Sequence, residues 1–366
     1  MKKIAILTLT PSNNYGGLLQ TIALYNYLEM QGHEVTLINK KFTINPRLKE
    51  ILYSFLERLP FQNIKNVRYG YLKSKALKGE LNKLVARKTQ KVCTTNEFKE
   101  IIKREKYDVV IVGSDQVWRY KYINDGSYET YFLDFKRYHD IKKVAYAASF
   151  GGDSWDGPSE TENVARMLED FDLISVREEA GKKICSDLFN VNATHVLDPT
   201  LLLKEEKYKE LFDINQEQEE DTLCCYILDN NKIKFDLIRE IANEMSLSIV
   251  ALNNLNKSGE YFTLKDWLSN FLNAKFIITD SFHGMVFSII FKKQFIVIGN
   301  EKRGLARFQS LLNKLGLQER LISLSNIEKY QKILKSNIDY DDVNKILDKE
   351  IEFSVSFLNK ATGVLK

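Results

Sequence analysis

Short β-like apolar runs alternate with helix-like stretches along nearly the whole chain, and that alternation admits few folds. Ile4 to Leu9, Val35 to Ile38, Val109 to Val112, Val144 to Ala148 and Leu173 to Val176 read as strands. Between them, Leu18 to Gln31 and Thr161 to Glu169 carry apolar residues at helical spacing, and Gly32 marks a helix stop. Val196 to Thr200 reads as the last strand of this half. The pattern then resumes with strands at Leu223 to Leu228, Ser248 to Leu252, Phe276 to Thr279 and Phe295 to Ile298, separated by helices at Lys234 to Met245, Leu264 to Leu272 and Met285 to Phe291. Strand and helix in strict turn predict parallel sheets covered on both faces. At 366 residues one core is too small an answer, so the expectation is an α/β protein of two Rossmann-like open parallel-sheet domains, 1–210 and 211–366. The acidic stretch Asn215 to Asp221 is the linker candidate. The amphipathic tail Asp341 to Leu358 is long enough either to pack back on the first domain or to cap its own.

Composition narrows the function classes. Hydrophobic residues at 44% and charged ones at 28%, with five prolines, describe a globular chain. The formal charge is +4, yet residues 61–92 hold nine Lys/Arg against the single acid Glu80, so the rest is net acidic. Such a segment suits an anionic membrane surface or a lipid pyrophosphate, and equally a solvated helical face; it gives no reason to expect a nucleic-acid partner. Four cysteines (Cys93, Cys185, Cys224, Cys225) show neither CxxC spacing nor a nearby histidine, which points away from zinc and disulfides and toward a reducing cytoplasm. Met285 to Ile298 is interrupted by Lys292-Lys293-Gln294, so no stretch reaches the ~20 apolar residues a membrane span needs.

Ligands of open parallel sheets bind beyond the carboxyl ends of strands, so polar residues just after each run carry the chemistry. PSNNYGG (11–17) sets Asn14, Tyr15 and two glycines, Gly16 and Gly17, at a helix start, suited to an anion or a sugar, or simply to a tight turn. It matches neither dinucleotide nor Walker spacing. GSDQVW (113–118) offers Asp115 as a base for a hydroxyl or as a cap, Gln116 as a hydrogen-bonding amide, and Trp118 as a sugar platform or a core aromatic. Arg177 follows a strand directly, where its fork suits carboxylate or phosphate, or a salt bridge to Glu178 or Glu179. His283, one of four histidines, follows Thr279, Asp280, Ser281 and Phe282 and precedes Gly284, whose missing side chain would let a ligand approach the backbone.

Taken in order, "NNYGGLLQ", "VVIVGSDQVW", "AYAASFGG", "FDLISVREEAG", "VLDPTLLL" and "FIITDSFHGMVFSIIFKKQFIVI" resemble the polysaccharide pyruvyl transferase family, over about Ile4 to Leu317. The resemblance implies a GT-B-like architecture with two domains facing a cleft. It implies phosphoenolpyruvate as co-substrate donor, no cofactor, nucleotide or obligatory metal, and pyruvate attached as a ketal to two hydroxyls of one sugar with release of phosphate. The acceptor is then a capsular or exopolysaccharide repeat unit, free or lipid-linked, met in the cytoplasm or at the inner membrane face through residues 61–92. Arg177 would hold the donor's anionic groups and His283 would act as acid or phosphate contact, with Ser281 and Gly284 beside it. Asn14, Tyr15, Gly16, Asp115, Gln116 and Trp118 would receive the sugar. Many relatives carry S-R-L-H where this chain has Ser281-Phe282-His283, so a phosphate-binding cation must come from elsewhere, Arg307 being favoured over Arg303. A nucleotide-sugar glycosyltransferase of the same architecture and a non-catalytic polysaccharide-binding or assembly protein are the other two readings.

Overall fold

The computed structural model describes residues 1–9, 14–41, 65–215, 219–229, 231–253, 255–256, 259–299 and 304–363, without the side chains of residues 65–69, 71, 75, 76 and 78. The chain divides into two compact units, Met1–Leu202 with Glu352–Lys366, and Leu203–Ile351.

In the first unit the strands are β1 (Lys3–Leu7), β2 (Glu34–Lys40), β3 (Lys88–Val92), β4 (Val109–Gly113), β5 (Lys142–Ala148), β6 (Leu173–Val176) and β7 (Thr194–His195). They form a parallel sheet in the order β3-β2-β1-β4-β5-β6-β7. Its longer helices are α1 (Tyr15–Met30), α2 (Lys65–Leu84), α3 (Thr95–Glu105), α4 (Thr161–Glu169) and α5 (Glu179–Phe189). The strand order reverses between β1 and β4, the crevice where doubly wound sheets take ligands. α1 is buried on nearly every side, because the sheet lies against one face while α2 and the turn Pro199–Leu202 cover others. Strand β3, of sequence KTQKV, carries no hydrophobic alternation that would have announced it. It is an edge strand, and its lysines discourage further pairing.

The second unit holds β8 (Glu220–Tyr226), β9 (Ser248–Ala251), β10 (Ala274–Thr279), β11 (Gln294–Ile298) and β12 (Leu321–Ile322), in the parallel order β12-β11-β10-β8-β9. Its helices include α6 (Glu205–Phe212), α7 (Lys232–Glu244), α8 (Leu264–Asn273), α9 (Phe282–Ile290) and α10 (Ala306–Lys314). Here the order reverses between β8 and β10. The final helix α11 (Tyr340–Thr362) ends in the first unit, where the Leu197 N–H donates to Ser354 Oγ at 3.0 Å and Phe357 meets Tyr146 at 6.2 Å between ring centroids.

Two local expectations change. Val196 to Thr200, expected as a strand, lies just past the two-residue strand Thr194–His195, and Pro199–Leu202 forms a 3-10 helix. Proline has no N–H for a ladder, and the Asp198 carboxylate draws the Thr200 N–H inward at 3.1 Å. Helix α9 begins at Phe282, three residues before the expected start, because Ser281 caps it by accepting the Gly284 N–H at 3.4 Å. His283 therefore lies within the first helical turn.

Candidate functional site

At the reversal point of the first sheet, strand ends converge on a polar network. Thr8, just past β1, donates to the Ser114 carbonyl at 3.4 Å and accepts from Gln20 Nε2 at 2.9 Å. Ser114 and Asp115, just past β4, both have left-handed backbones, with φ of 29° and 62°. Consecutive residues of this kind are strained and collect at functional sites. The turn aims Asp115 at the start of α1, where a Cβ on Gly17 would lie 3.2 Å from Asp115 Oδ2. Gly17 is thus glycine because a carboxylate approaches its Cα. Asn14 caps the same helix, its Oδ1 accepting the Gly16 N–H at 3.1 Å. An acid of the chain itself occupies the positive end of α1, in the place a ligand anion was expected to take.

Arg177 has a fully buried side chain and is bound by acids. Nη1 donates to Asp198 Oδ2 at 2.7 Å, Nη2 to Asp115 Oδ1 at 3.4 Å, and Nε lies 3.8 Å from Glu178 Oε2. Burial works against its charge, but Asp198, Asp115 and Glu178 together push the guanidinium pKa up. Asp198 is held in turn by Ser114 Oγ at 2.9 Å and Thr200 Oγ1 at 2.7 Å, and Glu178 by the Phe150 N–H at 3.1 Å. A guanidinium so enclosed takes the salt-bridge alternative read from the sequence, with Asp198 and Asp115 joining Glu178. Among the described residues, no donor reaches Asp115 Oδ2, which leaves that oxygen able to take a hydroxyl proton.

The remaining acceptor candidates separate. Trp118 is wholly buried, donates Nε1–H to the Tyr131 carbonyl at 3.0 Å, and stacks on Phe132 at 5.7 Å and 9°. It is a core aromatic, and the expected sugar platform is absent at this position. Gln116 accepts from Arg119 Nη1 at 2.8 Å beside Gly151, where a Cβ would collide with its Oε1. Tyr15 is buried with the Lys73 ammonium 4.3 Å from its ring centroid. Asn14 and Gly16 stay with Asp115 at the helix start. Asp198 was missed by sequence reasoning, although an aspartate before Pro-Thr is an Asx-turn signal.

The second unit builds its own cluster at the end of β10. Asp280 is buried, accepts the Leu228 and Asp229 N–H groups at 2.6 and 3.2 Å, and pairs with Lys234 Nζ at 2.6 Å. It fastens β8 to β10 across the reversal point. Gly284 faces Thr279, whose Oγ1 would lie 2.3 Å from a Cβ there, so this glycine lets α9 pack closely on β10. His283 is 5% exposed, its ring 5.3 Å from that of Phe282. Over the same Phe282 ring lies the Arg307 guanidinium, 5.8 Å from the centroid, from the first turn of α10. Phe282, in the place of the relatives' arginine-bearing pattern, thus carries an arginine on its face. Arg303 lies outside the described residues.

The buried thiols are inert, with burial pushing Cys185 and Cys225 up to about 12 and raising Cys224 as well. Among the described residues, no group of His, Cys, Asp and Glu is placed to hold a metal ion, and no helix is long and apolar enough to cross a membrane.

Solved structures resemble this chain over nearly its full length. A UDP-GlcNAc 2-epimerase from Methanocaldococcus jannaschii is 16% identical with a TM-score of 0.50, covering 93% of each chain. The S. aureus MnaA complex with UDP is 12% identical with a TM-score of 0.54, covering 100% of this chain and 98% of that one. Identity this low speaks for a shared two-domain GT-B-type fold alone. No protein with a curated description matches the sequence. The model of one family, polysaccharide pyruvyl transferase, matches residues 14–302, from Asn14 at the head of α1 through Asp115, Arg177 and His283, and the chain belongs to that family.

Proposed function

We propose that the protein transfers the pyruvyl group of phosphoenolpyruvate to two hydroxyls of one sugar in a polysaccharide repeat unit. The observation that carries this reading is the family match over residues 14–302, which contains Asp115, Arg177, Asp198, Asp280 and His283. The donor is a dianionic phosphate and a carboxylate on an enol, so it needs cations and an acid. Arg307 and His283, together on Phe282, offer these. His283 protonates C3 of the enol, which makes C2 electrophilic. One sugar hydroxyl adds to C2, the bond from C2 to the phosphate oxygen breaks, and the neighbouring hydroxyl closes the ketal. Of the two hydroxyl protons, one replaces that given to C3 and the other leaves with phosphate. Asp115 Oδ2 receives a hydroxyl proton, and Arg177 is a positioning residue that holds Asp115 and Asp198 together. The donor is a cytoplasmic metabolite, and the basic segment 61–92 would bring the enzyme to an anionic membrane face carrying lipid-linked acceptor.

The test follows phosphate release and the added mass of pyruvate on a panel of bacterial surface oligosaccharides. His283→Ala and Arg307→Ala are expected to fold normally and to lose at least about a hundredfold in turnover. Near-normal turnover in either would remove its assigned role. The nucleotide-sugar reading is checked by thermal shift, where stabilisation by UDP-GlcNAc and none by phosphoenolpyruvate would replace this proposal.

A further inference from the structure

A cavity of about 210 Å³ runs along β2 beneath α2, from Lys88 at the start of β3 to Thr8 and Leu9 beyond β1. Its polar lining includes Thr8, Asn39, Asn82 and Lys88, and Leu9 and Leu81 form apolar wall. Lys40 also lines it, but its ammonium is turned to the Cys93 carbonyl, Ser127 and Asp125. Lys88 differs. The residue is partly buried, and among the described residues its ammonium donates to the neutral Asn82 Oδ1 in a contact open to solvent. Burial pulls its pKa down with no acid to offset the effect. An ammonium whose partner is a neutral amide keeps its whole charge for an incoming oxyanion.

The rest of the lining fits a sugar. Amides bond hydroxyl groups, and leucine side chains cover the C–H face of a ring. The volume falls below the ~300 Å³ at which pockets for larger ligands begin, room for a single sugar with its phosphate. At the far end, Thr8 is hydrogen-bonded to the Ser114 carbonyl, one residue before Asp115. The cavity therefore ends at the strand-end network that carries Asp115.

We propose that this cavity is a subsite for a phosphate group carried on the acceptor sugar, with Lys88 as its cation. The inference rests on the pyruvyl transfer reading for the meaning of "acceptor", while its test measures binding alone. Isothermal titration of the full chain with D-glucose 1-phosphate, D-glucose and inorganic phosphate reads it directly. The sugar phosphate should bind more tightly than either fragment. Lys88→Met should weaken it by about ten- to a hundredfold, and Lys88→Arg should keep it within a few-fold of wild type. Saturating phosphoenolpyruvate should not displace it. Absence of binding to the wild type, equal binding by folded Lys88→Met, or displacement by phosphoenolpyruvate each overturns the subsite. If D-glucose 1-phosphate binds as expected but no glycan gains pyruvate, the subsite stands and the pyruvyl transfer reading falls. If phosphorylated glycans gain pyruvate with the same KM in folded Lys88→Met, the reverse holds.

Discussion

A guanidinium with no exposed surface must find counter-charge inside the protein, and Arg177 has Asp198, Asp115 and Glu178 around it. Removing the cation would leave acids buried without it, a change that costs about 3–5 kcal/mol in comparable pairs. Arg177→Met is expected to lower urea stability by that order. Arg177→Lys keeps a charge but cannot reach several acids at once, so it should retain part of the stability while displacing Asp115. A kinetic split separates positioning from donor binding. If Arg177 acts through Asp115, Arg177→Lys lowers kcat and leaves the KM for phosphoenolpyruvate near wild type; a large rise in that KM would return Arg177 to the donor site. Asp115→Asn should fold and lose turnover with little change in either KM. Trp118→Phe should cost about 1–3 kcal/mol of stability and leave acceptor KM unchanged, since the indole meets Phe132, Phe150 and the Tyr131 carbonyl. A raised acceptor KM in a stable Trp118→Phe protein would place sugar on that ring after all.

Elements decide which of these side chains are presented and which are enclosed, and this explains what the sequence could show. Alternating apolar runs made β1, β4, β6, β10 and β11 legible because each is a buried central strand of β-branched residues. Strand β3 was not, since an exposed edge selects lysine and glutamine over a hydrophobic pattern. Position after a strand located Asp115, Arg177 and His283 but not their surroundings. Asp198 reaches Arg177 from 21 residues away, and Lys234 reaches Asp280 from 46 away, separations to which local spacing is blind. The packing of α2 on α1 makes a testable pair of the same kind. Burial pulls the Lys73 ammonium down to about 8, over the ring of Tyr15. Between about pH 8 and its unfolded value near 10.5, the folded chain binds fewer protons there than the unfolded one. Lys73 is therefore destabilising below pH 8, and the effect fades as pH rises to 10.5. Lys73→Met should raise Tm by about 2–5 °C at pH 7 and by little at pH 10.5. A lower Tm at pH 7 would mean that the contact with Tyr15 outweighs the desolvation.

Across the whole molecule, charge is divided unevenly: residues 61–92 carry nine of the 53 Lys/Arg and one of the 49 acids. Helix α2 spans most of this segment, and it is polar on average. Attraction to an anionic surface would be electrostatic, about 1 kcal/mol for each basic residue near the surface. Such attraction is screened within a Debye length, about 10 Å at 0.1 M salt and 3 Å at 1 M. The full chain is accordingly expected to float with phosphatidylserine-containing vesicles at about 0.05 M salt and to be released by about 0.5 M. Neutral phosphatidylcholine vesicles should not carry it at either. Lys75→Glu with Lys78→Glu removes four units of charge from the segment and should abolish flotation, whereas Lys207→Glu with Lys345→Glu makes the same change in net charge elsewhere and should not. Flotation of both double variants to the wild-type extent would make residues 61–92 a solvated face. Loss in both would trace the binding to net charge alone, leaving the acceptor to reach the enzyme without a membrane contact at α2.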